Sequence, residues 1–474
     1  MATFAENVYN KSPIWLQNIF ISVKGWQFRY GRENNKILKE QYSFLLKSEK
    51  WSYEQYRDYQ IQELRKILNL AFQHVPYYRN MQKEIGCQVD DFKNLEDIQL
   101  LPILEKDVIR KSPELFLNET VDRKKYFKSF TGGSTGTPLF FYEMQESFSR
   151  RWAFVTRLRH WAGLTNPFYP RRAQFTGRNI VPSNQDSTKK YYWRRNIPGN
   201  AMLFSTTHIS PETVPYYTQA LGRFKPELID GYPKALFIIA RLAREMHLQL
   251  PRPQAIIVSG ETLLPQHRQE IEAAFQSKVF DQYAASEPSC FWCDCEHGNM
   301  HVNPEYGLSE IVDSQNAPVR PGEIGDVLVT SFLNPAMILI RYRIGDLAVP
   351  SSETSCACGR QMPLIERIEG RIEDDIIFVP ERGFVGRMSP VFKGLSNIIE
   401  TQIVQESLDD IKVLIVPDNG FKAEIAEHLV QNMRKRLGQK VRITWETVEF
   451  IPRRPNGKFA NVISHVKHLY PAKV

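Results

Sequence analysis

Between residues 226 and 286 the chain alternates strand-like and helix-like segments, a pattern that few architectures accommodate. Residues 226–233 (PELIDGYP) read as a strand ending at Gly231, Tyr232 and Pro233. Residues 234–247 place Leu236, Ile239, Leu242, Ala243 and Met246 on one helical face. AIIVSG (255–260) is a short apolar run of the kind buried on both faces of a parallel sheet. Pro265 suits the first position of the helix that follows, and KVFDQYAAS (278–286) supplies another strand. Strands alternating with helices predict a parallel α/β layer. Ligands of such layers sit at the carboxyl ends of the strands. Tyr232, Ser259, Gly260 and Glu261, and the run Tyr283–Glu287 all occupy such ends.

A second constraint is the loop Thr131–Pro138 (TGGSTGTP). Its glycines free the backbone for close approach of a ligand, and Ser134, Thr135 and Thr137 offer hydroxyl donors. Such a loop can wrap phosphate oxygens as a backbone nest does. No Gly-Lys-Ser/Thr follows, so it is not a Walker A loop, and its cation must come from elsewhere. LFFYE (139–143) reads as a strand, which makes the loop a strand-to-strand or strand-to-helix turn.

With 474 residues the chain exceeds one hydrophobic core and predicts at least two domains. No apolar run is long enough to span a bilayer. The N-terminus shows no basic region followed by an apolar core, so a cytoplasmic location is expected. The formal charge is +8, but the basic residues are dispersed, which favours a solvated surface over nucleic-acid binding. Residues 1–60 are rich in aromatics. SPIWLQNIFISVKGW could lie on a membrane surface, but the run is short and lacks a basic face. Packing against the main domain is therefore the preferred reading, with at most peripheral membrane contact. A homodimer is compatible with the sequence.

Further along, residues 54–75 read as a helix stopped by Pro76. GLSEIV (307–312), GDVLVTSF (325–332) and MILIRYRIGDLAV (337–349) read as antiparallel strands. A boundary falls near 370–375, followed by a compact α+β unit of usual domain size. Five of the six cysteines lie in two tight groups, which in a cytosolic chain suggests metal more than disulfides. Cys295, His301, Cys356 and Cys358 make a closed Cys₃His set of the structural-zinc kind. Cys290, Cys293 and His297 are alternates, and buried free thiols are the other reading.

Taken together, the motifs resemble the adenylate-forming superfamily of acyl-CoA synthetases, peptide-synthetase adenylation domains and luciferases. They are most similar to its phenylacetate–CoA ligase-like branch, including members linked to capsular polysaccharide biosynthesis. TGGSTGTP resembles the superfamily's phosphate loop, and DQYAASE its Tyr-Gly-x-Thr-Glu motif, with Ala284 for glycine and Ser286 for threonine. RYRIGD resembles Tyr-x-Thr-Gly-Asp with Ile344 for threonine, and GRIEDD the hinge motif with Glu373 for aspartate. NGKF near the C-terminus resembles the lysine motif. The resemblance covers nearly the whole chain from about residue 60.

That resemblance implies a fold and a reaction. The fold is α/β: a large N-terminal domain (1–371) of βα layers with a small β-barrel-like region and a helical extension (1–125), then a small mobile α+β lid (372–474). The reaction joins a carboxylate to the α-phosphate of MgATP, releases pyrophosphate, and transfers the acyl group from the adenylate to CoA or to an amine. Thr131, Ser134, Thr135, Gly136 and Thr137 would hold the phosphates, and Lys458 would be the missing cation. Glu287 would ligate Mg²⁺, Asp346 would accept from the ribose hydroxyls, and Ser286 would line the nucleotide site. Tyr283 is either an adenine platform or a core aromatic, and Arg371 either bonds ribose or phosphate or pairs with the acidic turn beside it. Glu373 and Asp374 are the implied hinge. The acyl pocket would lie near His208, Tyr232, Ser259, Gly260 and Glu261, although His208 also suits a structural role and Tyr232 core packing. Zinc would clamp two loops beside the nucleotide site. The contrasting reading is a catalytically weak nucleotide- or glycan-binding scaffold on the same fold; retention of Glu287 and Lys458 argues against it. A kinase releasing ADP is disfavoured by the absent Walker lysine.

Overall fold

The computed structural model describes the chain apart from residues 1–3, 31–34, 131–139, 176, 178–179, 183–189, 286, 372–376, 386–387, 389–390, 392–394, 396, 454–458 and 467–474. Contacts divide it into two units, one reaching residue 368 and the other built mainly from residues 369–474.

The first unit begins with helices α1 (Phe4–Lys11), α2 (Ile14–Phe28), α3 (Lys36–Ser48), α4 (Tyr53–His74), α5 (Pro76–Ile85) and α6 (Lys106–Lys111). A capping box between Ser52 and Gln55 starts α4. Its end is set at Val75, which is extended, and Pro76 then opens α5, so the proline both closes one helix and begins the next.

The antiparallel pair β1 (Tyr126–Phe130) and β2 (Phe140–Met144) flanks the Gly-rich loop, which makes that loop a strand-to-strand connection. Helix α7 (Gln145–Trp161) leads to β3 (Arg172–Phe175), β4 (Trp193–Asn196) and β5 (Ala201–Phe204). Then come α8 (Val214–Phe224), β6 (Leu228–Gly231), α9 (Pro233–Glu245), β7 (Ala255–Ser259), α10 (Pro265–Phe275) and β8 (Val279–Ala284). Strands β5, β3, β6, β7 and β8 are parallel neighbours in that order, as the alternation over 226–286 predicts. Ala255 to Val258 are buried throughout, because helices must cover both faces of such a sheet.

Beyond β8 the sheet turns antiparallel through β9 (Phe291–Asp294), β10 (Met300–Val302), β11 (Gly307–Val312), β12 (Gly325–Ser331), β13 (Tyr342–Pro350) and β14 (Leu364–Arg371). Among the described residues the sheet has 12 strands, ordered β11-β12-β13-β14-β10-β9-β8-β7-β6-β3-β5-β4. β10 pairs with both β9 and β14, so these antiparallel strands continue the parallel block. The apolar run expected to form a strand from residue 337 becomes one only at Tyr342. Arg341 takes φ 47°, which interrupts extended backbone, and the N–H of Ile340 donates to the Tyr78 hydroxyl at 2.9 Å.

A buried ion pair ties the helical extension to the sheet. Arg157 of α7 donates through Nη1 to Glu305 Oε1 at 2.7 Å and to the Leu45 carbonyl at 3.1 Å. Ser48 Oγ donates to the same carboxylate oxygen at 2.5 Å.

The second unit pairs β15 (Ile377–Val379) with β16 (Gly383–Val385). It also contains β17 (Ile398–Gln405), β18 (Asp410–Pro417), α11 (Ala423–Leu437), β19 (Arg442–Thr447) and β20 (Val462–Ser464), with sheet order β19-β18-β17-β20. Ala426, Leu429, Val430 and Met433 of α11 pack with Ile403, Ile411, Val413 and Ile415 in its core. Among the described residues, no helix is long and apolar enough to cross a membrane.

Candidate active site

The carboxyl ends of β6, β7 and β8 lie side by side, since Gly231 pairs with Val258 and Ser259 with Gln282. This places Tyr232, Ser259 to Glu261 and Tyr283 along one edge of the sheet. Glu261 accepts from the N–H of Lys234 at 3.4 Å, so its carboxylate sits in the first turn of α9, where the helix dipole favours an anion. His208 follows β5, two strands beyond β6, at the far end of that edge. Its Nδ1 lies 2.7 Å from Ser205 Oγ and 3.2 Å from Thr207 Oγ1. Burial lowers its pKa and nearby Arg194 adds to this, while the Pro182 carbonyl opposes both.

The ring of Tyr283 lies 4.8 Å from that of Trp292, tilted by 39°, and the two residues pair across β8 and β9. Glu287 is buried, and the Tyr342 hydroxyl donates to its Oε1 at 2.8 Å. Its Oε2 is equally enclosed and has no hydrogen-bond partner among the described residues. A carboxylate held through one oxygen with the other unmatched is what a hard cation needs, so the residues fit Mg²⁺. Asp346 lies within β13, four residues past Tyr342, and is buried. Arg371 ends β14. Thr131, Ser134, Thr135, Gly136, Thr137, Ser286, Glu373, Asp374 and Lys458 lie outside the described residues.

The side chains of Cys295, His301, Cys356 and Cys358 converge, with one ligand atom from each within 4.8 Å of the others. Among the described residues Cys290, Cys293 and His297 do not join them. Cys295 follows β9, His301 lies in β10, and Cys356 and Cys358 occupy a turn before β14, which pairs with β10 at His301 and Leu364. Both loops are tight Cys-x-x-Gly turns. The N–H of Gly298 bonds the Cys295 carbonyl and that of Gly359 the Cys356 carbonyl, each at 2.9 Å. Gly298 and Gly359 take φ 82° and 79°, which a side chain would strain. The amides of His297 and Cys358 and the side chain of Asn299 then donate to sulfur at 3.3, 3.5 and 3.3 Å.

The thiols of Cys295 and Cys356 are 3.6 Å apart, and Cys358 Sγ is 3.4 Å from His301 Nε2. A tetrahedral ion with thiolate and imidazole ligands has edges of roughly 3.7 and 3.5 Å, so the geometry fits a bound metal. Burial, reinforced by Arg360, pushes His301 down to about 4, leaving the neutral imidazole that ligates. Burial pushes Cys295 up to about 12. At Cys356 burial is outweighed by donors, the Cys358 N–H and Asn299 first, and the thiol titrates below its ordinary value.

Sequence reasoning missed Tyr342, Trp292 and Asn299, which hold the groups it did find. The repeated Cys-x-x-Gly spacing at 295–298 and 356–359 was a legible signal for the paired turns.

A protein-family model described as the CapK C-terminal domain matches residues 377–465. Protein CapK of Staphylococcus aureus is 30% identical over 473 residues, spanning 97% of this chain and 99% of that protein. Phenylacetate-coenzyme A ligase of Thermus thermophilus is 22% identical over 418 residues, spanning 82% and 90%. The solved structure of 2-hydroxyisobutyryl-CoA ligase in the postadenylation state with R3-HIB-AMP superposes with a TM-score of 0.67 at 20% identity, over 89% of this chain and 92% of that one. The chain shares the fold of the adenylate-forming superfamily and is similar to its phenylacetate–CoA ligase-like branch. Within that branch, the chain belongs to the CapK family.

Proposed function

We propose that this chain activates a carboxylic acid with ATP, forming an acyl-adenylate and pyrophosphate, and passes the acyl group to CoA or to an amine. The observation that carries the reading is the buried Glu287 carboxylate, with one oxygen held by Tyr342 and the other unmatched among the described residues, next to the carboxyl edge of the parallel sheet. A substrate carboxylate oxygen forms a bond to the α-phosphorus as the bond to the pyrophosphate oxygen breaks. Charge accumulates on oxygens that are already anionic, so positioning and electrostatic stabilisation dominate. Glu287 would hold Mg²⁺, which when bound neutralises phosphate charge. Thr131, Ser134, Thr135, Gly136 and Thr137 grip the departing pyrophosphate, and Lys458 bridges the carboxylate and α-phosphate. Ser286 lines the nucleotide site, Tyr283 supports adenine against Trp292, and Asp346 accepts from the ribose hydroxyls. Arg371 contributes a donor to ribose or phosphate.

The carboxyl edge at Tyr232, Ser259, Gly260 and Glu261, with His208 beyond, is the proposed acyl pocket. Residues 1–371 form the ATP- and acyl-binding domain and 372–474 the lid, with Glu373 and Asp374 as the hinge. Zinc in the Cys₃His set has a structural role, joining the turn after β9 to the turn before β14. The relatives named phenylacetate-coenzyme A ligase support CoA as acceptor. Membership of the CapK family keeps an amine acceptor, in capsular polysaccharide modification, as the second reading. A cytoplasmic enzyme suits both.

Carboxylate-dependent exchange of pyrophosphate into ATP across a panel of acids tests the first half-reaction. Release of ADP, or no exchange with any acid, would overturn it. CoA and amine acceptors then compete for the acyl-adenylate formed.

A further inference from the structure

Helix α2 is mounted with its polar face inward. Gln17 Oε1 accepts from Arg194 Nε at 2.5 Å, and Asn18 Oδ1 from the Arg195 N–H at 2.9 Å. Ser22 Oγ accepts from the Ile197 N–H at 3.3 Å, and Gly25 lies directly against the Asn196 side chain. Arg29 Nη1 donates to the Pro198 carbonyl at 2.6 Å, and its guanidinium lies 3.4 Å from the centre of the Tyr169 ring. Ile21 adds one apolar contact, to the cluster of Ile180, Val181, Ala201 and Leu203. These contacts fasten the helix along edge strand β4.

The opposite face carries Trp15, Ile19, Val23, Trp26 and, in the turn past the helix end, Tyr30. The spacing of four, four, three and four residues stacks them in one stripe. All five are 48% to 64% exposed. Phe20 widens the stripe on one side. A surface helix ordinarily does the reverse, giving water its polar side. An exposed stripe of this size marks an interaction site.

We propose that this stripe rests on an anionic lipid bilayer, with α2 lying parallel to the membrane plane. Three observations select a bilayer. Tryptophan and tyrosine are the side chains enriched at the membrane–water interface, where a ring can be apolar on one side and wet on the other. From residue 7 to residue 30 there is no Asp or Glu, whereas Lys11 and Lys24 are exposed, so the charge complements anionic headgroups. Lys24 borders Phe20 on the helix wheel, where its stem can follow the apolar surface and its ammonium reach a phosphate. The helix has 15 residues, too few to span a bilayer but enough to lie in its surface.

Flotation of the full-length protein with phosphatidylcholine vesicles, with and without phosphatidylglycerol, tests this. Binding is expected with phosphatidylglycerol vesicles, weakening as salt rises. The triple variant Trp15→Ser, Ile19→Ser, Trp26→Ser should bind roughly a hundredfold more weakly, because it removes three large apolar contacts. Its circular dichroism and melting curve should match those of the parent, since the altered side chains touch solvent. Lys24→Glu provides an independent variant and should weaken binding roughly tenfold. A parent protein that stays unbound with phosphatidylglycerol vesicles overturns the proposal. So does equal binding by the triple variant and by Lys24→Glu. A parent dimer that the triple variant dissociates, without flotation of either, would reassign the stripe to self-association.

Discussion

The hydroxyl of Tyr342 donates to Oε1 of Glu287 at 2.8 Å, with both side chains buried. The two residues are 55 positions apart and belong to different motifs, yet one sets the orientation of the other. A buried carboxylate with one oxygen satisfied is aimed through the second. Tyr342→Phe should therefore reduce adenylation by roughly 10- to 100-fold and raise the Mg²⁺ concentration needed for half-maximal rate. Pyrophosphate exchange titrated with MgCl₂ measures both, and an unchanged Mg²⁺ dependence would count against the positioning role.

Lys458 tests the division of labour between binding and chemistry. Lys458→Ala should lower adenylation by about 10²–10³-fold while ATP affinity stays within a few-fold. Equilibrium binding of ATP beside single-turnover acyl-adenylate formation separates the two. An equal loss in both would make the lysine a binding residue only.

The Cys₃His set should hold close to one zinc per purified chain, measured by elemental analysis. Cys356→Ser should release it and lower the melting temperature, because a structural metal contributes its binding energy to folding. A metal-free preparation that melts at the same temperature would refute the assignment.

The Arg157–Glu305 pair is enclosed completely, so removing one partner strands a charge in the core. Arg157→Met should cost about 3–5 kcal/mol of stability, and adding Glu305→Leu should restore part of it. Urea unfolding of the single and double variants measures the coupling.

His267 gives the protein an acid sensitivity. Burial, and secondarily Lys234, pushes its pKa down to about 3, and its Nδ1 has no hydrogen-bond partner among the described residues. Above the unfolded pKa, near 6.5, the ring is neutral in both states and contributes no pH dependence. As pH falls below that value the unfolded chain takes up a proton that the folded chain refuses until pH nears its own lower pKa. Stability should thus fall by about 1.4 kcal/mol per pH unit through this window from this group. His267→Leu should flatten that part of the stability profile, measured by urea unfolding between pH 6.5 and 4.5.

Periodicity over 226–286 was enough to predict the parallel block, since strands buried on both faces must be apolar along their length and the helices between them must be one-sided. The four metal-binding candidates were legible because cysteine and histidine at short spacing are chemically uncommon. Local pattern failed where long-range contacts override it. The apolar run at 337–341 has the composition of a strand, but Arg341 adopts a left-handed backbone while its guanidinium bonds Glu310 at 2.9 Å and the Leu101 carbonyl at 2.7 Å.

The sequence by itself determined the resemblance to the superfamily, and with it the reaction proposed and the chemical identity of the groups expected to act, because those depend on residue types in a fixed order. Only the tertiary structure decided which oxygen of Glu287 is left unmatched among the described residues, that Tyr342 holds the other, and that two Cys-x-x-Gly turns bring their sulfurs within 3.6 Å. It also decided which side of α2 faces water. A helix wheel shows two faces, but which one is docked depends on edge strand β4, more than 160 residues away, offering Arg194, Asn196 and the backbone of Arg195 and Ile197 as partners for polar groups.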